Sequence, residues 1–288
     1  MTTRDTPPLN YISSIKDLAG NVASVAGPIT PTDGVAPVIS ETTAVASAIN
    51  DNTPNYTFTA SETGTILYGG DCTSGIATAT SGPNTLAFNA LPDGPHNNCT
   101  IAVTDAAGNA SNQVVISSFT VDTVAPAVTV SSTATNPTRV SPIPFAATFS
   151  EPVTGFESGD ISVANGTVGS FAAASSTVYT FVVAPSGEGG VTVSVGAAKA
   201  NDSAGNGNTA AANFTRTFDS IAPVITITSY TLTQTNQDIT VSASANEGTL
   251  NAAAHLFTAN DSFSFVATDA ALNAATTTVT ITNIDKVA

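Results

Sequence analysis

Asp105-Ala-Ala-Gly-Asn109 is the stretch that decides the fold, because the pattern Asp-x-Ala-x-Asn occurs four times in the 288 residues. The other copies are Asp17-Leu-Ala-Gly-Asn21, Asp202-Ser-Ala-Gly-Asn206 and Asp269-Ala-Ala-Leu-Asn273. Such a pentapeptide is typical of a β-hairpin turn, because Asp bonds to the backbone two residues on while Gly and Asn tolerate left-handed conformations. Apolar stretches at residues 99–104 and 114–121 flank it, so we predict that it closes the last hairpin of a domain.

Two further motifs keep a fixed distance from the pentapeptide. The pattern Asp-x-Val/Ile-Ala begins 16 or 17 residues after each copy, at Asp33, Asp122, Asp219 and Asp285. A glutamate that follows a small polar residue comes 28 or 29 residues after the first three of these, at Glu62, Glu151 and Glu247. Three motifs that stay in register across three stretches of chain indicate tandem repeats.

The repeat predicts the domain boundaries, and the residue patterns predict their structure. Short alternating or apolar runs at residues 55–59, 178–183 and 262–268 indicate strands, and the run at 178–183 is apolar enough to predict a fully buried one. Short strands separated by Gly, Asn, Asp and Pro favour an all-β sandwich. The predicted segments are residues 1–33, a C-terminal remnant of a preceding repeat with its linker; 34–122; 123–219; and 220–288, a short domain with the start of the next linker.

The composition excludes several kinds of partner. The chain has 21 acidic and six basic residues and a net charge of -15, and charged residues make up 9%. Nucleic-acid binding depends on Lys and Arg at the phosphates, and anionic membrane surfaces also attract basic segments, so neither partner is expected. The first eight residues lack the apolar region of a signal peptide, and no stretch approaches the roughly 20 apolar residues that span a bilayer. If the protein is exported, we expect its signal to lie outside this sequence.

The two cysteines, Cys72 and Cys99, are 27 residues apart and form the single available pair. In an oxidising compartment they would close one disulfide, and the alternative is two free thiols. Their spacing matches no zinc signature, and neither His96 nor His255 has a nearby partner at ligand spacing.

The repeated acids predict a metal site at each junction between domains. In a sandwich of this class the B–C and F–G loops lie at the pole where the chain enters. The glutamate is expected in the B–C loop, the pentapeptide Asp in the F–G loop, and the Asp before Val-Ala-Pro in the entering linker. Three carboxylates at one place repel one another unless a cation lies between them, and oxygen ligands suit Ca²⁺. The alternative is three solvated turn carboxylates. The three predicted clusters are Asp33, Glu62 and Asp105; Asp122, Glu151 and Asp202; and Asp219, Glu247 and Asp269.

The chain resembles the bacterial immunoglobulin-like repeats of large surface adhesins and biofilm-associated proteins. Residues 105–110 and 121–126 carry the likeness, with residues 149–154 and 159–163 in the second repeat and residues 68–72 and 98–100 in the first. This resemblance implies tandem immunoglobulin-like β-sandwiches in an extended array, Ca²⁺ at junctions, and export to the bacterial cell surface or medium. Two departures matter: Leu272 replaces the usual Gly of the pentapeptide, and Gly34 follows Asp33, whose site would need an intact preceding repeat.

The function predicted from these features is a non-catalytic stalk or spacer of an extracellular adhesin. Its partners would be the flanking repeats, with a host or biofilm surface ligand as a further expectation. One alternative is a glycan- or protein-binding module, for which Tyr68 and Tyr179 are the candidate exposed aromatics. Another is an accessory region of a larger secreted enzyme. No arrangement of nucleophile and base is visible in the sequence, and aromatic residues make up 6% with no Trp, so catalysis is not expected.

Overall fold

The computed structural model describes residues 15–16, 18–23 and 33–287. The chain divides into two compact units, residues 1–123 and 124–288. The described residues are almost entirely strand and loop, and their single helical element is a 3-10 turn, Ser158–Asp160. The predicted all-β fold is confirmed.

The pentapeptide that begins at Asp17 is flanked by two short antiparallel strands, β1 (Ile15–Lys16) and β2 (Val22–Ala23). Gly20, between them, has a φ of 85°. Asp17 itself lies outside the described residues.

The first sandwich lies between residues 39 and 121. Its strands are β3 (Ile39–Thr43), β4 (Ala48–Ile49), β5 (Asn55–Ala60), β6 (Gly64–Gly69), β7 (Thr78–Ala79), β8 (Gly82–Ala87), β9 (Gly94–His96), β10 (Thr100–Thr104), β11 (Val114–Val115) and β12 (Phe119–Val121). They form the sheets β3-β5-β8, β4-β12-β9 and β11-β10-β6-β7. Strand β5 alternates as its sequence predicts, with Tyr56 and Phe58 fully buried. Burial of such aromatic side chains makes the inward face of β5 part of the hydrophobic core.

A disulfide joins Cys72 and Cys99 in this sandwich, with their Cα atoms 5.2 Å apart. The predicted pairing is therefore confirmed. Both cysteines are buried in the core, where they connect the loop after β6 to the start of β10.

The second sandwich lies between residues 128 and 218. Its strands are β13 (Val128–Ser131), β14 (Ile143–Phe149), β15 (Ile161–Ala164), β16 (Gly166–Ala173), β17 (Val178–Pro185), β18 (Gly189–Val195) and β19 (Phe214–Phe218), in the sheets β13-β14-β17-β16 and β15-β18-β19. The prediction that residues 178–183 are buried on both faces is wrong. Tyr179, Phe181 and Val183 are buried, whereas the alternate residues are half-buried or exposed, because the outer face of this sheet faces solvent.

The third sandwich lies between residues 225 and 281 and is smaller. Its strands are β20 (Ile225–Ile227), β21 (Ile239–Ala245), β22 (Thr249–Leu250), β23 (Ala254–Phe257), β24 (Asp261–Thr268) and β25 (Ala274–Ile281), in the sheets β20-β21-β23 and β22-β24-β25. Phe265 is fully buried at its centre, beside Val241. Each sandwich begins two residues after the proline of its entering linker, where the missing N–H donor costs no ladder bond.

Candidate metal centres

The pentapeptide forms a closed turn that its own Asp and Asn hold together. In the first sandwich Asp105 Oδ1 accepts the backbone N–H groups of Ala107 at 2.9 Å and Asn109 at 2.8 Å. The Asn109 amide donates to Asp105 Oδ2 at 2.8 Å. Because the carboxylate receives several donors, the pKa of Asp105 is lowered, chiefly by the Asn109 side chain. Asp105 is therefore an ionised, nearly buried carboxylate whose position the turn determines.

The fourth residue of the turn is left-handed in each repeat. Gly108 has a φ of 93° and Gly205 a φ of 94°. Leu272 adopts the same region with a φ of 68°, and its N–H donates to the Asp269 carbonyl at 3.2 Å, as Gly108 does to Asp105 at 3.3 Å. The departure at Leu272 therefore leaves the turn intact, although a left-handed backbone costs a leucine about 1–2 kcal/mol that glycine avoids.

The same turn also fixes the entering linker. The second amide hydrogen of Asn109 donates to the backbone carbonyl of Asp33 at 3.0 Å, and Asn273 donates to the carbonyl of Asp219 at 2.9 Å. These bonds place the linker Asp next to the pentapeptide Asp. The sequence pattern shows both motifs and their spacing, but it gives no sign that the asparagine connects them.

The small polar residue before each repeated glutamate holds a second point of the linker. Ser61 Oγ accepts the N–H of Val38, and Ser150 Oγ accepts that of Ala127, both at 2.9 Å. Asn246 plays the same part in the third sandwich, where its Oδ1 accepts the N–H of Val224 at 2.6 Å. The glutamate therefore always leaves its strand beside the linker. As predicted, each glutamate lies in the loop after the second long strand of its sandwich, and each pentapeptide Asp lies in the loop before the last strands.

The structure brings the first predicted cluster together. Carboxylate oxygens of Asp33, Glu62 and Asp105 all lie within 4.8 Å of one another. Burial raises the pKa of Glu62, and the negative charges of Asp33 and Asp105 raise it further. The first cluster is therefore a place where negative charge accumulates.

The spacing of these oxygens fits one hard cation. Ca²⁺ binds oxygen at 2.3–2.6 Å, so two ligands of one ion lie at most about 5 Å apart. Asp105 already receives two backbone donors on Oδ1 and one side-chain donor on Oδ2. Each carboxylate oxygen has about two lone-pair sites, so Oδ2 retains one for a metal.

The second predicted cluster falls partly in each compact unit. Within the second unit, carboxylate oxygens of Glu151 and Asp202 lie within 4.8 Å of each other. Asp202 Oδ1 accepts three backbone N–H groups, and the Asn206 amide donates to its Oδ2 at 2.8 Å. In the first unit, Asp122 follows strand β12, and its N–H donates to the carbonyl of Ile49 at 3.0 Å.

The third predicted cluster does not assemble. The carboxylate oxygens of Asp219, Glu247 and Asp269 do not all come within 4.8 Å of one another, so the expected geometry is wrong there. Burial opposes ionisation of Asp269, but hydrogen bonds from Asn273 and the charge of Arg139 lower its pKa. The guanidinium therefore supplies positive charge where a metal ion was expected, a substitution that no repeated motif announces.

The tyrosines that could have formed a binding platform are not free on the surface. Tyr179 is buried, and its hydroxyl donates to the carbonyl of Val153 at 3.1 Å. Tyr68 is half-buried and donates to the carbonyl of Ile76 at 2.6 Å. Within residues 15–16, 18–23 and 33–287 there is no helix long and apolar enough to cross a membrane.

Similarity to known proteins is concentrated in the fold. A family model described as a bacterial Ig-like domain matches residues 122–218. A search of the curated proteins found no match. Fibronectin(III)-like modules of Clostridium thermocellum CbhA share 15% identity, with 63% of this chain and 94% of theirs covered and a TM-score of 0.31.

Two longer proteins have similar structures. Invasin, a bacterial integrin-binding protein, shares 10% identity over 86% of this chain and 60% of its own, with a TM-score of 0.33. The Bacteroides ovatus mixed-linkage glucan utilization protein SGBP-B, solved with a mixed-linkage heptasaccharide, shares 16% identity over 75% of this chain and 55% of its own, with a TM-score of 0.20. The matched region spans less than two thirds of both proteins. The resemblance found in the sequence is confirmed: residues 122–218 are a bacterial immunoglobulin-like domain, and the chain as a whole is built of immunoglobulin-like β-sandwiches.

Proposed function

We propose that this chain is a non-catalytic structural segment of a bacterial surface protein, a stalk or spacer of an extracellular adhesin whose junctions are stiffened by Ca²⁺. The observation that carries the proposal is the first cluster. One acid from the linker, one from the B–C loop and one from the F–G loop present oxygens within 4.8 Å of one another. A cation bound there would connect the linker to two loops of the following sandwich at once.

The position of the acids supports a structural role for the ion. Asp105 is fixed by its turn, and Asp33 is fixed by the Asn109 bond to its carbonyl, so two of the ligands are in place without the metal. Preorganised carboxylates bind Ca²⁺ without first ordering a loop, which reduces the entropic cost of binding. None of the three acids lies beside a nucleophile and base in an arrangement that the structure describes, which favours a structural role over catalysis.

The test is thermal unfolding of the full chain in EDTA and in millimolar Ca²⁺, for the wild type, Glu62→Gln and Glu151→Gln. At a free Ca²⁺ concentration 100 times the Kd, one site adds about 2.7 kcal/mol. For a sandwich of this size that corresponds to a Tm increase of at least about 10 °C. Each variant should lose the increase that its own cluster contributes.

The matched control is Glu247→Gln, the same change in the sandwich where the three acids do not meet. It should leave the Ca²⁺ response unchanged. Glu62→Gln has a second signature, because the raised pKa shows that the ionised carboxylate is unfavourable in the metal-free protein. In EDTA it should therefore be at least as stable as the wild type, and in Ca²⁺ less stable. A wild type whose Tm is the same in EDTA and in Ca²⁺ would refute the calcium proposal.

A further inference from the structure

The junction between the second and third sandwiches contains one peptide group that both sandwiches hold. This junction peptide joins Asp219 to Ser220. Its carbonyl oxygen accepts the Asn273 amide of the third sandwich at 2.9 Å. Its N–H, which belongs to Ser220, donates to Glu188 Oε2 of the second sandwich at 3.0 Å. A peptide group is planar and its C=O and N–H point in opposite directions, so the two sandwiches hold opposite edges of one rigid plane.

Neighbouring contacts reinforce this arrangement on the side of the second sandwich. The Ser220 hydroxyl donates to Glu188 Oε1, so the carboxylate accepts two bonds from one residue. The N–H of Asp219 donates to the carbonyl of Thr138 at 2.9 Å. Hydrogen bonds to an ionised carboxylate are stronger than those between neutral groups. The end of the second sandwich therefore fixes the chain on both sides of the Asp219 α-carbon.

The third sandwich fixes the chain shortly afterwards. Val224 donates its N–H to Asn246 Oδ1 at 2.6 Å and accepts a backbone bond from the same residue at 3.2 Å. Between Ser220 and Val224 lie three residues, of which Ile221 bonds to Asp219 Oδ1 at 3.2 Å and Pro223 has a ring-fixed φ. Few backbone torsions are left that could act as a hinge.

The two halves of this arrangement also occur separately in the first sandwich. At its entrance Asn109 donates to the carbonyl of Asp33, as Asn273 does to Asp219. At its exit Asp93 accepts the N–H of Thr123 at 3.1 Å and its hydroxyl at 3.0 Å, in the way that Glu188 holds Ser220. The halves are thus recurring parts of the repeat and are combined on one peptide group at residues 219–220.

We infer that the joint between the second and third sandwiches is rigid without a metal ion, because the junction peptide is held by Asn273 from one side and by Glu188 from the other. This joint is the one where the three acids fail to assemble, so direct hydrogen bonds take the place that the calcium proposal gives to an ion elsewhere. The inference does not rest on calcium binding at the first or second cluster.

The experiment measures residual dipolar couplings of backbone amides in the full chain in EDTA, for the wild type and Glu188→Ala. In the wild type, couplings from residues 128–218 and 225–281 should fit one common alignment tensor. In Glu188→Ala the common fit should be lost, and the third sandwich should align separately. Ser220→Ala, which removes one of the two bonds to Glu188, should give an intermediate loss.

The matched control is Glu41→Ala. Glu41 also accepts the N–H and hydroxyl of one serine, Ser117, at 3.0 and 2.6 Å, but both residues lie within the first sandwich. Its removal should leave the common tensor of the second and third sandwiches unchanged. Amide spectra of each variant verify that all sandwiches are folded. Separate tensors in the wild type in EDTA, or one common tensor in folded Glu188→Ala, would overturn the inference. A Ca²⁺-independent Tm would instead refute the calcium proposal and leave this one standing.

Discussion

Gly108→Ala should destabilise the first sandwich by about 1 kcal/mol. The φ of Gly108 is 93°, and a Cβ built there meets no atom within 4 Å, so the cost comes from the backbone alone. Left-handed backbone costs a non-glycine residue roughly 1–2 kcal/mol. Alanine also restricts the unfolded chain, which returns roughly 0.4–1 kcal/mol. The difference leaves a net loss of about 1 kcal/mol.

Native-state hydrogen exchange of the full chain in EDTA can measure this loss in the sandwich concerned. The amides of Phe58 and Val103, in the core strands, report its unfolding free energy separately from the other sandwiches. Gly75→Ala is the control, because its Cβ also meets nothing within 4 Å but its φ is outside the left-handed region. It should be neutral or stabilising. If Gly108→Ala proves as stable as the wild type, or Gly75→Ala loses as much, the backbone argument is refuted.

Two further predictions concern the same sandwich. Replacing Cys72 and Cys99 together by Ala should lower its unfolding free energy by about 3.5 kcal/mol, the loop entropy for a separation of 27 residues; an unchanged value in urea denaturation would contradict this. Because Asn109 lowers the pKa of Asp105, that carboxylate contributes stability above its unfolded pKa, and the contribution is lost as pH falls through the lowered folded pKa. Asp105→Asn should flatten this acid dependence in EDTA, and acid melting curves parallel to those of the wild type would show that Asp105 contributes none of it.

The sequence was sufficient to place the first cluster because its three acids belong to motifs with constant spacing. Glu62 follows its strand by two residues, and the Asp33 and Asp105 motifs begin at fixed distances from it, so a standard sandwich order brings all three to one pole. The alternation of β5 was equally readable, because one of its faces is buried and the other is not.

Other contacts could not be read from spacing, because loops of variable length supply them. Asp93 lies 30 residues before Thr123, while Glu188 lies 32 residues before Ser220, and the two acids differ in type. Arg139, which influences Asp269, has no counterpart at the same place in the repeat. Contacts of this kind depend on how loops fold over a pole, and the periodicity of strands carries no information about that.

The disulfide of the first sandwich changes what happens when the two ends of the chain are pulled apart. The segment between Cys72 and Cys99 is closed by a covalent bond, so force applied through the flanking residues bypasses it. An extended chain spans about 3.3–3.6 Å per residue, so the separation of 27 residues removes about 90 Å from the contour length that unfolding could release. Under tension, the first sandwich would therefore lengthen much less than an uncrosslinked one of equal size, and the bond limits how far the chain yields.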